Sequence, residues 1–504
     1  MSELSVKDVL GFDPPKFLGN YLGGRWEIST AVSGGFDVNS PANLDWSLPK
    51  VSFSYRDVDF AVEEAEKAQR EWALQPLESR IAVVLRFKAE LEKRREQIAK
   101  LISFEIGKPY KEAFGEAGAL LAKIDVTVEH GLELIKTTSV EMPGGGKAEM
   151  HYRPIGALAV IGPFNFPVHL SNGHIIPALL VGNTIILKPS EKAPYCAQLY
   201  MEAAHAAGFP KGVISLLHGD GEVATRLIRH QGIKGVLATC SYEVGTKILR
   251  TLADQTQKIV ALEMGGKNAA IVNTDVQDLD KVAGALIESS FLTTGQRCTA
   301  LSRVYVIGSK LDELCHKVHL RAKELVISHP FDTDPEPFMG PLVTGASREN
   351  FLKYHSIAMS EGAEVVMRPK ALETKALLTG KKLAKGFYVS PSIHKVHSWT
   401  STSTYQTHEI FGPDLFFAPV ADLDDAIAAA NCTNYGLSFS YFGERKEDYI
   451  YVADRVKSGL VYFNKPTVGA SGRLPFGGWG QSGNFRPAGL FAIYSSAQAQ
   501  ARIL

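Results

Sequence analysis

The sequence predicts an α/β fold of two parallel-sheet domains with the active site between them. Three observations carry this. From Ala157 onward, short apolar runs bounded by Gly, Pro and Asn alternate with helix-period segments; a second series of the same kind starts after Gly266; and 504 residues exceed what one hydrophobic core organises. Parallel sheets bind ligands at the carboxyl ends of their strands, so two such sheets place the site where those ends meet.

The elements follow in order. Between Asp57 and Gly107 apolar residues recur three and four apart with charges between them, the pattern of amphipathic helices. A glycine-rich break stands at Gly144 to Gly146. The run ALAVIG from Ala157 leads into a helix near His174 to Leu180, NTIILKP from Asn183 into a helix through Tyr195 to Ala207, and GVISLLHG from Gly212 into a short helix. GVLAT from Gly235 precedes a helix starting at Val244, and KIVALEMGG from Lys258 closes the series. The second series comprises NAAIVN from Asn268, a helix near Leu279 to Phe291, RVYVIG from Arg303 and a helix after Leu311. It runs on to VYFN from Val461, before the glycine-rich stretch Pro475 to Gly483. No repeat of fixed period and no low-complexity linker interrupts it.

Composition narrows the function. Lys plus Arg equals Asp plus Glu at 54 each, so no global field draws in nucleic acid or an anionic membrane, and small molecules are the expected partners. Five widely spaced cysteines, Cys196, Cys240, Cys298, Cys315 and Cys432, with no C-x-x-C pair, argue against a disulfide framework and a zinc site. A reducing, cytoplasmic setting fits them. The opening MSELSVKDVL lacks the apolar core of a signal peptide. The most apolar region, Ile155 to Leu187, is broken by Pro163, Asn165, Pro167, His169, Asn172, His174 and Pro177, far short of the roughly 20 clean residues of a membrane span.

Several residues have the chemistry of a site, each with a plainer alternative. Cys298 sits in FLTTGQRCTAL after an apolar helical stretch; an isolated cysteine is more often inert core. Glu263 in ALEMGGKNAA ends a strand against two glycines, where an acid is also at home as a loop residue or helix cap. Asn165 in GPFNFP is held between prolines, a place where Asn commonly forms the turn and no more. KPSE ends the strand NTIIL with Lys188 and Glu191 three residues apart, suited to two ribose hydroxyls, though a solvated lysine reads as well. Turns near Gly219, Gly221 and Gly245 offer backbone to a pyrophosphate, yet no G-x-G-x-x-G follows the first strand.

Taken together, these stretches resemble the aldehyde dehydrogenase superfamily, in the expected order and over nearly the whole chain. GPFNFP is similar to the family's oxyanion segment, KPSE to its ribose segment, ALEMGGKN to its general-base segment and GQRC to its nucleophile segment; HEIFGP from His408 resembles the nicotinamide-ribose segment and PFGGWGQSG the late signature. The resemblance implies Cys298 as nucleophile, Glu263 as general base and Asn165 as oxyanion donor beside the Cys298 N–H. It implies Lys188, Ser190, Glu191, Gly221, Ser241, Gly245, Glu409 and Phe411 around NAD, with NADP as the alternative cofactor. It further implies Arg297, Thr299, Gly469, Ala470 and Ser471 at the substrate, and no metal. On this reading the thiol must be held at a low pKa, because the thiolate is the nucleophile.

The same resemblance divides the chain into a parallel-sheet dinucleotide-binding domain (1–140 and 156–263), an α/β catalytic domain (264–484) and a small β oligomerisation extension (141–155 and 485–504). Gly144 to Pro154 and Tyr494 to Leu504 resemble strands exchanged in a homodimer or homotetramer. Within the superfamily the chain is most similar to the succinylglutamate-semialdehyde dehydrogenases of arginine catabolism, through GPFNFPVHLSNGHIIPALLVGNTIILKPSE, FLTTGQRCTALSR, NKPTVGA and SGNFRPAG. Three features depart: Cys240 in the phosphate-facing turn, the insert around Asn43 to Phe53, and GASGRLPFGG, which leans toward pyrroline-carboxylate (glutamate-semialdehyde) dehydrogenases. An acidic semialdehyde is the substrate implied, with glutamate semialdehyde or a broad range of aldehydes as alternatives. Glu263 argues against acyl transfer to coenzyme A, and the three catalytic residues together argue against a silent structural member of the superfamily.

Overall fold

Strand Ala157–Ile161 carries only aliphatic residues, as a strand covered on both faces requires. In the computed structural model, which describes residues 5–372, 386–484 and 487–504, it is the third strand of a seven-stranded sheet. The order is Ile259–Glu263, Ile233–Thr239, Ala157–Ile161, Thr184–Lys188, Ile214–Leu216, Asn20–Leu22 and Arg25–Glu27. The first five are parallel and the last two antiparallel. Alternate side chains sort to opposite faces. Leu158, Val160, Ile185 and Leu187 join the core beneath the helices from Leu77 to Val126, His169–Val181 and Pro194–Ala207, whereas Ala157, Ala159 and Ile186 pack on Asp57–Leu74, Gly221–Arg229 and Tyr242–Thr251.

The second sheet repeats the logic in the order Glu364–Met367, Ser392–Lys395, Asp414–Val420, Leu301–Ile307, Asn268–Val272, Ser438–Phe442 and Leu460–Phe463. Only the edge strand Glu364–Met367 is antiparallel. Ala270 and Val272 face Leu279–Phe291 and Leu311–Lys323, while Ala269 and Ile271 face Gly345–Ser360 and Leu423–Ala430. A third, antiparallel sheet joins Ala497–Ile503, Lys147–Pro154 and Thr138–Glu141, mostly exposed. No helix among the described residues is long and apolar enough to cross a membrane.

The α/β reading therefore holds, with differences at the edges. The helix expected near His174 starts at His169, and the one expected from Val244 starts at Tyr242, because Ser241 caps it. Helix Tyr110–Val126 escaped notice, its apolar period interrupted by Gly115 and Gly118. The insert at Asn43–Phe53 is a strand paired with Gly34–Ser40. Of SGNFRPAG, Phe485 and Arg486 lie outside the described residues.

Candidate active site

The carboxyl ends of the first sheet lie in register: Ile161 beside Lys188, Ala238 beside Ile161, and Thr239 beside Glu263. Each of Asn165, Lys188, Ser241 and Glu263 thus leaves the same edge of the sheet. Cys298 comes from the second sheet, just before strand Leu301–Ile307.

The nucleophile segment is a built turn. After helix Leu279–Phe291 the chain passes through Thr293, Thr294 and Gly295 at φ 55°, 56° and 69°, a conformation that costs ~1–3 kcal/mol at each threonine unless the surroundings impose it. They do. The Glu112 carboxylate accepts the Thr293 N–H at 3.0 Å and its hydroxyl as well, and the Thr294 hydroxyl donates to the Gly340 carbonyl at 2.9 Å. Gly295 is required, since a Cβ there would stand 2.3 Å from the Gly412 carbonyl oxygen. Asn268 Nδ2 donates to the carbonyls of Cys298 and Ala300, both at 2.8 Å, fixing the far side.

Arg297 departs from its expected place at the substrate. Its guanidinium pairs with Glu112 at 2.6 Å, donates to the Thr293 hydroxyl at 2.7 Å and lies over the Phe166 ring at 5.1 Å, so it ties the turn together. Asn165 is buried and its Nδ2 donates to the carbonyl of Gln296, two residues before Cys298, at 3.0 Å. Its own carbonyl accepts from Lys108 at 2.7 Å, and Lys108 forms a fully buried pair with Glu116 at 2.6 Å.

Glu263 is buried with neither carboxylate oxygen partnered, and burial pushes its pKa well above the usual carboxylate range. Its backbone is held firmly. Met264 N–H donates to Ser482, Cys240 N–H to the Glu263 carbonyl, and Asn484 takes the Leu262 N–H at 2.6 Å while donating to the Val260 carbonyl at 3.0 Å. Glu409 accepts the Gly266 N–H at 2.9 Å; a Cβ on Gly265 would fall 1.9 Å from this carboxylate, so the double glycine is needed for the approach. Burial moves the Glu409 carboxyl up to about 7.

The expected low thiol pKa is overturned. Burial first, and then the charges of Glu263 and Glu409, push Cys298 up to about 12, and the opposing pull of Arg297 is smaller because Glu112 neutralises it. Burial raises the phenol of Tyr462, in VYFN, and the nearby Cys298 adds to the shift.

On the cofactor side, Lys188 is buried with its ammonium 3.7 Å from the half-exposed Glu191 carboxylate, and Ser190 caps its own turn by accepting the Lys192 N–H at 3.2 Å. Ser241 caps helix Tyr242–Thr251, and Gly245 in its first turn packs against Met264. Asp220 already accepts the N–H groups of Glu222 and Val223, so the helix beginning at Gly221 has those donors committed. Cys240 points inward, its thiol pushed up to about 12 by burial. Phe411 adopts φ 55° and meets Phe164 edge-on at 5.8 Å. On the substrate side Thr299 is buried and its carbonyl accepts from Thr467 at 2.8 Å, whereas Gly469, Ala470 and Ser471 form an exposed loop.

Sequence reasoning missed Lys108, Glu112, Glu116, Asn268, Tyr462 and Asn484. One signal was present: Glu112 and Glu116 stand four apart on one helix, a like-charge pair that needs cations to be stable.

The family model for the aldehyde dehydrogenase family matches residues 29–501. The chain is 39% identical over 443 residues to N-succinylglutamate 5-semialdehyde dehydrogenase 1 of Caulobacter vibrioides, covering 88% of this chain and 90% of that one. It is 35% identical to N-succinylglutamate 5-semialdehyde dehydrogenase of Vibrio cholerae, covering 94% of each. The fold is similar to that of 1-pyrroline-5-carboxylate dehydrogenase from Thermus with bound NAD, at TM-score 0.89 and 28% identity over 98% of this chain and 94% of that one. By sequence and by fold, the chain belongs to the aldehyde dehydrogenase family.

Proposed function

We propose that this protein oxidises an acidic semialdehyde, N-succinylglutamate 5-semialdehyde, to the carboxylate with NAD through a thioester on Cys298. The observation that carries it is a buried thiol within the field of two carboxylates, one of which, Glu263, has both oxygens free. The relatives named above supply the substrate, and the buried Lys188 beside Glu191 suits a ribose whose hydroxyls bridge cation and carboxylate.

The chemistry follows from the residues. Cys298 Sγ bonds to the aldehyde carbon as its thiol proton passes to solvent. The Asn165 amide and the Cys298 N–H hold the oxygen that becomes negative, donors fixed in place before the charge forms. NAD, when bound, supplies the hydride acceptor. Glu263 then draws a proton from water, which cleaves the thioester and releases the acid. Glu409, fixed by Gly266, and Phe411 stand where the nicotinamide ribose is expected, and Ser241 and Gly245 where the pyrophosphate passes. Gly221 lines the adenosine side, and Thr299 with Gly469, Ala470 and Ser471 faces the substrate.

Steady-state kinetics on N-succinylglutamate 5-semialdehyde, glutamate semialdehyde and hexanal, each with NAD and with NADP, test the reading. The succinylated aldehyde is expected to have the highest kcat/KM and Cys298→Ser to abolish turnover; equal kcat/KM for hexanal would overturn the substrate. Glutamate semialdehyde is the second reading, favoured by GASGRLPFGG and by the fold likeness to the Thermus enzyme. The five cysteines are all free, which supports a cytoplasmic setting, and the likeness to the N-succinylglutamate 5-semialdehyde dehydrogenases supports a place in arginine catabolism. The exposed third sheet supports a homodimer or homotetramer formed through 141–155 and 485–504, beside a dinucleotide-binding part (1–140, 156–263) and a catalytic part (264–484).

A further inference from the structure

Helix Tyr110–Val126 carries charge at both ends of its inward face, and the two ends are treated differently. Toward its start, Glu112 and Glu116 are matched by Arg297 and Lys108 at 2.6 Å each. Toward its end stands Lys123, only 8% exposed, whose ammonium donates to the Gly489 carbonyl at 2.6 Å and is paired with no carboxylate among the described residues. A buried cation costs several kcal/mol of desolvation unless an anion is near, so a chain that keeps one uncompensated leaves room for a charge from outside.

The surroundings of Lys123 locate that charge. Its Cε lies 3.9 Å from where a Cβ on Gly173 would stand, against helix His169–Val181. Four residues before Gly173, on the same helix face, is His169, whose Nδ1 is buried and unpartnered and whose ring packs on Phe166 at 6.4 Å. Phe166 lies under Arg297, the neighbour of Cys298. On the other side Val126, one turn beyond Lys123, approaches Gly472 of the exposed loop, and Gly489 pairs with Pro475 just after that loop. Lys123 and His169 are thus linked by contact to Phe166 and Arg297 on one side and, through Val126 and Gly489, to the segment around Gly472 on the other. Burial and the Lys123 charge hold His169 down to about 4, so its imidazole is neutral and one ring nitrogen can donate.

We propose that Lys123 and His169 form an anion subsite that takes a remote carboxylate of the aldehyde substrate. The proposal rests on the reading of this site as an aldehyde-oxidising one and adds the residues that select an acidic aldehyde. The substrate carboxylate completes the missing ion pair with Lys123 and accepts a hydrogen bond from His169. An alkyl aldehyde leaves both groups unsatisfied, and that is the basis of discrimination.

The test compares wild type, Lys123→Met, Lys123→Arg and His169→Leu by the ratio of kcat/KM for N-succinylglutamate 5-semialdehyde to that for hexanal. The ratio does not depend on the folded fraction. Lys123→Met is expected to lower it about ten- to a hundredfold, the loss of a charged hydrogen bond, with His169→Leu less affected and Lys123→Arg nearer wild type. A ratio unchanged in Lys123→Met overturns the subsite, because the lysine would then be purely structural. A wild type with no preference for the succinylated aldehyde would sink the substrate reading alone; glutarate inhibition of hexanal oxidation then judges the subsite. Competitive inhibition of wild type that is lost in Lys123→Met supports it, and equal inhibition of both overturns it.

Discussion

At the scale of single residues, the site is governed by burial acting on acids. Glu263 and Cys298 are both pushed up, so the general-base role proposed for Glu263 requires a carboxylate in a place that favours the neutral form. Activity is therefore present above the raised Glu263 pKa and lost as pH falls through it. The acid limb of kcat is expected well above the ordinary carboxylate range, and Glu263→Gln is expected to remove it while allowing one burst of NADH and trapping an acyl enzyme; a pH profile with stopped-flow absorbance checks both. At the cofactor edge, the Glu191 charge disfavours a 2′-phosphate. Glu191→Gln is expected to raise the NADP to NAD ratio of kcat/KM on the order of tenfold, read from the two titrations.

At the scale of elements, loops are clasped at their bases. The segment carrying Glu409 and Phe411 is bracketed by Tyr405 and Asp414, whose side chains meet at 3.0 Å, with His394 at 2.8 Å from the tyrosine hydroxyl and His355 at 2.9 Å from His394. Tyr405→Phe is expected to lower stability by ~1–3 kcal/mol through the unsatisfied buried Asp414, measured by thermal melting. Gly295→Ala is expected to cost about the same or more and to lower kcat, because the added methyl meets Gly412. Strands of the first sheet were legible because their two-sided burial leaves pure aliphatic runs such as ALAVI and TIILK. The motif residues were legible through local glycine and proline context. The ion pair that holds Arg297 was not legible for a physical reason: its partner Glu112 lies 185 residues away, and no local pattern announces a distant ion pair. The direction of the Cys298 pKa escaped likewise, since it depends first on burial and then on carboxylates brought in from Glu263 and Glu409.

At the scale of the whole molecule, the two sheets meet through a few deliberate ties: Asn165 to Gln296, Gly266 to Glu409, and Asn484 to the edge strand bearing Glu263. The third sheet stands apart and presents Val140, Met142, Met150, Ile503 and Leu504 to solvent. Deleting Ala497–Leu504 is expected to yield smaller particles by light scattering if this sheet joins subunits. The Asn484 tie has a temporal side. Leu262 and Asn484 are 222 residues apart, and Asn183 reaches Ser496 across 313, so the first sheet waits for the end of the chain to be closed. Contacts of such long separation form late. A chain stopped short of Asn484 would hold Glu263 on a strand with bare backbone donors, an edge open to pairing with other chains. Such a truncation is expected to aggregate rather than keep partial activity, and sedimentation of the truncated chain checks this.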